Sequence, residues 1–127
     1  MKKFSLIILV ISVFNLMSCG NKKEKEDFGT STTNSLVSAE TGKTLFEGKG
    51  TCVACHKPET KIIGPSIREI ATIYKDKNGN LVEFLKGKSD PIVDPSQFEV
   101  MKANFAITKN MTDDELESIK LYINSFF

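Results

Sequence analysis

The stretch GTCVACHKPE, residues 50–59, holds two of the chain's three cysteines and its only histidine. Two thiols and an imidazole within five residues act as a unit, and three chemistries use such a unit. They are a redox dithiol, a metal site, and the attachment point of a larger cofactor. The rest of the chain decides between them.

A structural zinc ion needs four ligands, usually in two Cys/His pairs separated in sequence. Cys52, Cys55 and His56 form one cluster, and the chain has no second pair. A thioredoxin-like C-x-x-C follows a buried strand in an α/β fold. Here the preceding residues are FEGKGT, and no run of β-branched residues supplies a sheet. The third reading is covalent haem c. In C-x-x-C-H two thiols add to the haem vinyl groups, and the adjacent imidazole becomes the proximal iron ligand.

The first residues read as an export leader. Met1-Lys2-Lys3 is a short basic start, and Phe4 to Phe14 is apolar apart from Ser5 and Ser12. That run is too short to span a bilayer, which takes about 20 residues. Leu16-Met17-Ser18-Cys19 closes it and resembles a bacterial lipobox. The resemblance implies cleavage after residue 18, lipid on Cys19, and an extracytoplasmic protein anchored to a membrane, with the leaflet open. Each buried methylene contributes ~0.8 kcal/mol, so two or more acyl chains anchor stably.

Residues 20–37 are charged, then rich in Ser and Thr. They bury too little apolar surface to order themselves, so 19–37 is expected to be a tether spanning roughly 24 Å. Of the 17 basic side chains, Lys2 and Lys3 leave with the leader. The 16 acidic groups then outnumber the remaining basic ones by one. No basic stripe points to nucleic acid.

From residue 38 to 127 the pattern is helical. Ser38 caps a helix to about Glu47, which Gly48 and Gly50 stop. Ser66 opens a second, in which Ile67, Ile70, Ala71 and Tyr74 recur at helical spacing. KDKNGN is a turn, followed by a short helix over Leu81 to Lys86. Pro91 and Pro95 break the next stretch, leaving one helical turn near Ser96 to Val100. Thr112 and Glu115 form a capping box for the last helix, with Leu116, Ile119, Tyr122, Ile123 and Phe126 as its buried stripe. The expected fold is all-α, with four to five helices.

With those elements in order, residues 39–127 resemble a small bacterial class I cytochrome c. The shared features are Gly42 and Phe46, Cys52-Val-Ala-Cys55-His56, Gly64-Pro65, a late methionine, and a C-terminal helix containing Tyr122. The resemblance implies that Gly42 lets the terminal helices cross closely, with Phe46 and Tyr122 near the crossing. It places Pro65 beside His56, fixing the imidazole through its free nitrogen. It also implies a haem iron held by His56 and a methionine.

Two methionines remain after the leader, Met101 and Met111. Met111 precedes the cap Thr112 and faces Leu116, the arrangement of a hydrophobic staple. Met101 lies where no regular pattern claims it, and is the expected sixth ligand. The function implied is a monomeric electron carrier with no substrate chemistry of its own. Its redox partners would be a quinol-oxidising complex and a terminal oxidase or reductase. Two alternatives stand beside it: a haem sensor or peroxidase-like protein with a labile sixth ligand, and a fixed haem subunit of a respiratory complex.

Overall fold

The computed structural model describes residues 36–127. The leader, Cys19 and all of the tether but its last two residues lie outside the described residues. Six α-helices follow: α1 (Ala39–Glu47), α2 (Ile67–Asp76), α3 (Leu81–Leu85), α4 (Phe98–Lys102), α5 (Phe105–Thr108) and α6 (Asp113–Asn124). Among the described residues there is no β-strand, only an isolated bridge between His56 and Lys61. None of these helices is long and apolar enough to cross a membrane.

The helix starts follow from side-chain caps. Ser38 accepts from the amide of Thr41, Ser66 from that of Glu69, and Asn80 from that of Glu83. At α6 both halves of the capping box are made: Glu115 N donates to Thr112 Oγ1 at 3.2 Å, and Thr112 N donates to Glu115 Oε2 at 2.8 Å. Each such cap satisfies an orphan amide and contributes about 1 kcal/mol.

The core is built where α1 crosses α6. Phe46, Leu116, Ile119 and Ile123 are buried there, with Ile67, Ile70 and Ala71 of α2 closing the third side. Phe46 meets the ring of Tyr122 edge-on at 5.3 Å, as expected from the resemblance. Truncating a buried phenylalanine of this kind costs about 3–5 kcal/mol.

Three details differ from expectation. Met101 lies on α4, which extends past the single turn expected near Ser96 to Val100, and α5 follows it unannounced. Both are short pieces without their own side-chain caps. They are held by packing instead, since Phe84, Phe98 and Phe105 form a triangle with centroids 5.5–6.2 Å apart. On α6, Tyr122 and Phe126 are only half-buried, whereas Ser118 is wholly buried. Its hydroxyl donates to Asp114 O at 2.8 Å, so the polar group is satisfied.

Candidate haem site

Between α1 and α2 the chain reverses at Thr51, whose φ of 52° is left-handed. A β-branched residue there is a genuine outlier, of the kind that functional sites retain. Sequence reasoning missed it, because Thr is the wrong residue type to announce a left-handed turn. The reversal leads into a single 3-10 turn, Cys52–Ala54. It sets Cys52, Cys55 and His56 on the lining of one cavity of about 340 Å³.

His56 is buried, and its Nδ1 donates to the carbonyl oxygen of Pro65 at 2.8 Å. Burial lowers its pKa below the ordinary imidazole value, and the Pro65 carbonyl offsets part of that. The ring is therefore neutral at pH 7, with Nδ1 protonated and the Nε2 lone pair available. Gly64 lies flat on the ring: a Cβ there would come within 2.5 Å of Cε1 and 2.8 Å of Nδ1. Only glycine allows Pro65 to reach its position, which is the physical content of the Gly64-Pro65 pair.

The rest of the cavity lining is largely apolar. Tyr74, Leu81, Phe84, Ile92, Val93 and Phe98 belong to it, together with Met101. The polar lining that sequence reasoning missed includes Asp94, Gln97 and Asn104. Asn104 Nδ2 donates to Gly50 O at 3.2 Å, tying the end of the Met101 segment to the turn before Cys52. Lys61 and Ser96 hold the Asp94 carboxyl down to about 2. Met111 is placed differently. It is 7% exposed in the apolar core, where a Cβ on Gly50 would stand 3.5 Å from its methyl.

Neither of the two other chemistries finds support here. Burial pushes the Cys52 thiol up to about 11, whereas a redox dithiol lowers its nucleophilic cysteine. Among the described residues no group of three or more His, Cys, Asp or Glu side chains converges as a metal site.

A helical fold that presents C-x-x-C-H at the lip of an apolar cleft defines a covalent haem protein. A profile of the cytochrome c family matches residues 39–126, and the chain belongs to that family. It is 45% identical over 40 residues to cytochrome c-552 of Nitrosomonas europaea, covering 32% of this chain and 38% of that one. Cytochrome c-551 of Pseudomonas aeruginosa is 35% identical over 60 residues, covering 45% and 57%. Cytochrome c-551 of Azotobacter vinelandii is 40% identical over 40 residues, covering 32% and 48%. These matches thus span between 38% and 57% of the relatives' own lengths.

Family membership brings covalently bound haem c, with Cys52 and Cys55 as the attachment thiols. The residues present fit that group. Two thiols stand at i and i+3, an imidazole has its free nitrogen unprotonated, and the cleft between them is apolar.

Proposed function

We propose that this protein is an electron carrier with one haem c, held by His56 on one side and Met101 on the other. The observation that carries the reading is that His56 and Met101 line the same apolar cavity, whereas Met111 packs in the core. Haem supplies a one-electron couple, and a thioether ligand favours the ferrous state and raises the potential.

The chain's own contributions are specific. The Pro65 carbonyl fixes the His56 tautomer and raises ligand basicity, as such partners do elsewhere. The apolar wall keeps water out. Ile63 and Val100, both 54% exposed, lie where the cavity reaches the surface. They offer a small apolar face for brief encounters, which typically bury below about 1,200 Å². The only arginine, Arg68, is engaged elsewhere with Glu59 and the carbonyl of Phe126. It thus does not serve the cavity as a polar group for oxygen or peroxide chemistry.

Around this core the reading extends to the whole chain. Residues 1–18 are removed, Cys19 is lipidated, and residues 19–37 tether the 38–127 domain to a membrane on the extracytoplasmic, periplasmic side, with the leaflet left open. The partners are redox proteins of the classes that the cytochrome c resemblance implies, a quinol-oxidising complex and a terminal oxidase or reductase. For the anchor and tether the support is the lipobox resemblance and the polar composition of residues 20–37.

The test is spectroscopic and covalent at once. Denaturing electrophoresis with haem staining should show a band that acid–acetone extraction leaves in place. The native protein should cycle reversibly between ferric and ferrous low-spin spectra without binding carbon monoxide. A colourless band would refute the haem reading. Rapid carbon monoxide binding would show an open sixth position and favour a sensor. Co-purification with a respiratory complex in mild detergent would favour a fixed subunit.

A further inference from the structure

Two segments distant in sequence contribute to the cavity lining, Ile63 and Gly64 in one, Pro91 to Asp94 and Gln97 in the other. Residues 57–64 continue from His56, and residues 89–97 lead into α4 and Met101. Lys61 belongs to the first and Asp94 to the second, and their charged groups meet at 2.8 Å.

Both ends of this contact are anchored. Lys61 pairs through its backbone with His56, and Gly64 N donates to Cys55 O at 2.9 Å, closing the same loop. Asp94 lines the cavity, and its side chain is 16% exposed against 54% for Lys61. Its second carboxylate oxygen accepts from Ser96 Oγ at 2.5 Å, which leaves Oδ2 aimed at the lysine. A second lysine helps from another side: Lys77, the C-cap of α2, donates to Ile92 O at 3.0 Å.

Of the other surface ion pairs, Lys86–Glu83, Lys102–Glu99 and Lys120–Glu117 join residues three apart, and Lys49–Glu115, Arg68–Glu59 and Lys86–Asp113 join more distant ones, but none of these residues lines the cavity. Lys61–Asp94 joins the segment that follows His56 to the segment that leads into Met101. The latter has no regular structure from residue 89 until Pro95. Segments of that kind open locally at low free energy, so one ion pair there weighs on local opening more than on the global fold.

We propose that Lys61 and Asp94 form a clasp across the cavity, a positioning pair that keeps the Met101 segment closed against the His56 segment. The inference rests on the reading of Met101 as the sixth ligand.

Cyanide binding to the ferric holoprotein tests it, because cyanide enters only when the methionine side opens. Lys61→Met and Asp94→Asn should each raise the limiting rate roughly three- to fivefold, the scale of a partly exposed pair. The double variant should be no faster than either single one, since both remove one interaction. Glu117→Gln, which breaks an ion pair on α6, should leave the rate unchanged while shifting the thermal midpoint by a similar small amount. Unmutated protein without the sulfur-to-iron band of a methionine ligand would overturn both readings. Protein that shows the band, with cyanide rates unmoved in Lys61→Met and Asp94→Asn, would overturn the clasp alone. So would additive effects in the double variant, or an equal acceleration in Glu117→Gln.

Discussion

Gly42 of α1 rests directly on the carbonyl of Ser118 in α6: a Cβ added to the glycine would lie 1.9 Å from that oxygen. The next obstacle is the Cβ of Tyr122, 2.9 Å away. Neither can move without separating the helices, because one is backbone and the other is the root of a side chain. Gly42→Ala gains about 0.5–1 kcal/mol of helix propensity. Overpacking typically costs about 1–3 kcal/mol, and collision with backbone belongs at the upper end. The net expectation is a loss of about 2 kcal/mol. For a domain of this size each kcal/mol lowers the melting midpoint by roughly 4–8 °C. Thermal unfolding of the ferric holoprotein checks this, and an unchanged midpoint would refute the close crossing.

Glu115 has two duties, and pH separates them. It closes the capping box and also pairs with Lys49 just beyond α1, at 2.7 Å. Lys49 first, and the Thr112 amide after it, hold the carboxyl below the ordinary carboxylate range. A depressed folded value means the stabilisation is complete above the unfolded pKa of about 4.3. It is lost as pH falls through the folded value. Glu115→Gln can still accept from the Thr112 amide but cannot pair with Lys49. At pH 7 it should be less stable by roughly 0.5–1 kcal/mol, given the exposure of the pair. Urea midpoints of the two proteins should converge as the pH is lowered below the depressed folded value. A gap that persists there would assign the effect to packing.

What was legible in the sequence was whatever a few neighbouring residues decide. The caps Ser38, Ser66 and Thr112, and the spacing of Ile67, Ile70, Ala71 and Tyr74, act within one or two turns. Those helices appear where they were expected. The segment from 89 to 108 was not legible in the same way. Its helices α4 and α5 are too short to be stable alone and exist because Phe98 and Phe105 pack on Phe84. The hydroxyl of Thr108 also donates to Leu85 O at 2.6 Å, a contact across 23 residues. Ser118 is buried because Gly42 admits it, and no pattern within α6 reveals that. In the site, Cys52, Cys55 and His56 are contiguous and visible, whereas Asp94, Gln97 and Asn104 join the cavity only through the path of the chain.

Cys19 lies outside the described residues, and its lipidation is tested by mass. The mature protein should exceed polypeptide plus haem by a diacylglyceryl group, with or without an amide-linked acyl chain. Cys19→Ala should release the protein to the soluble fraction or leave it unprocessed, because one anchor site carries all the acyl chains. Soluble wild-type protein in high yield would remove the anchor from the reading.

The two methionines should part company when each is truncated. Met101 lines the cavity on α4, half-buried, while Met111 is buried in the core before α6. Oxidised haem with a methionine ligand shows a weak sulfur-to-iron band at the red end of the spectrum, as the family resemblance implies. Met101→Ala should abolish it, open the iron to carbon monoxide in the ferrous state, and lower the reduction potential, since a thioether favours ferrous iron. Met111→Ala should keep the band and the potential. Its cost should fall on stability instead, about 2–5 kcal/mol for a buried methionine, and the staple at the start of α6 would be lost with it. Parallel redox titration and thermal unfolding of the two variants separate the outcomes. If Met111→Ala loses the band and Met101→Ala keeps it, the ligand assignment is reversed. The cavity lined by His56 and Met101 would then no longer explain how the iron is held.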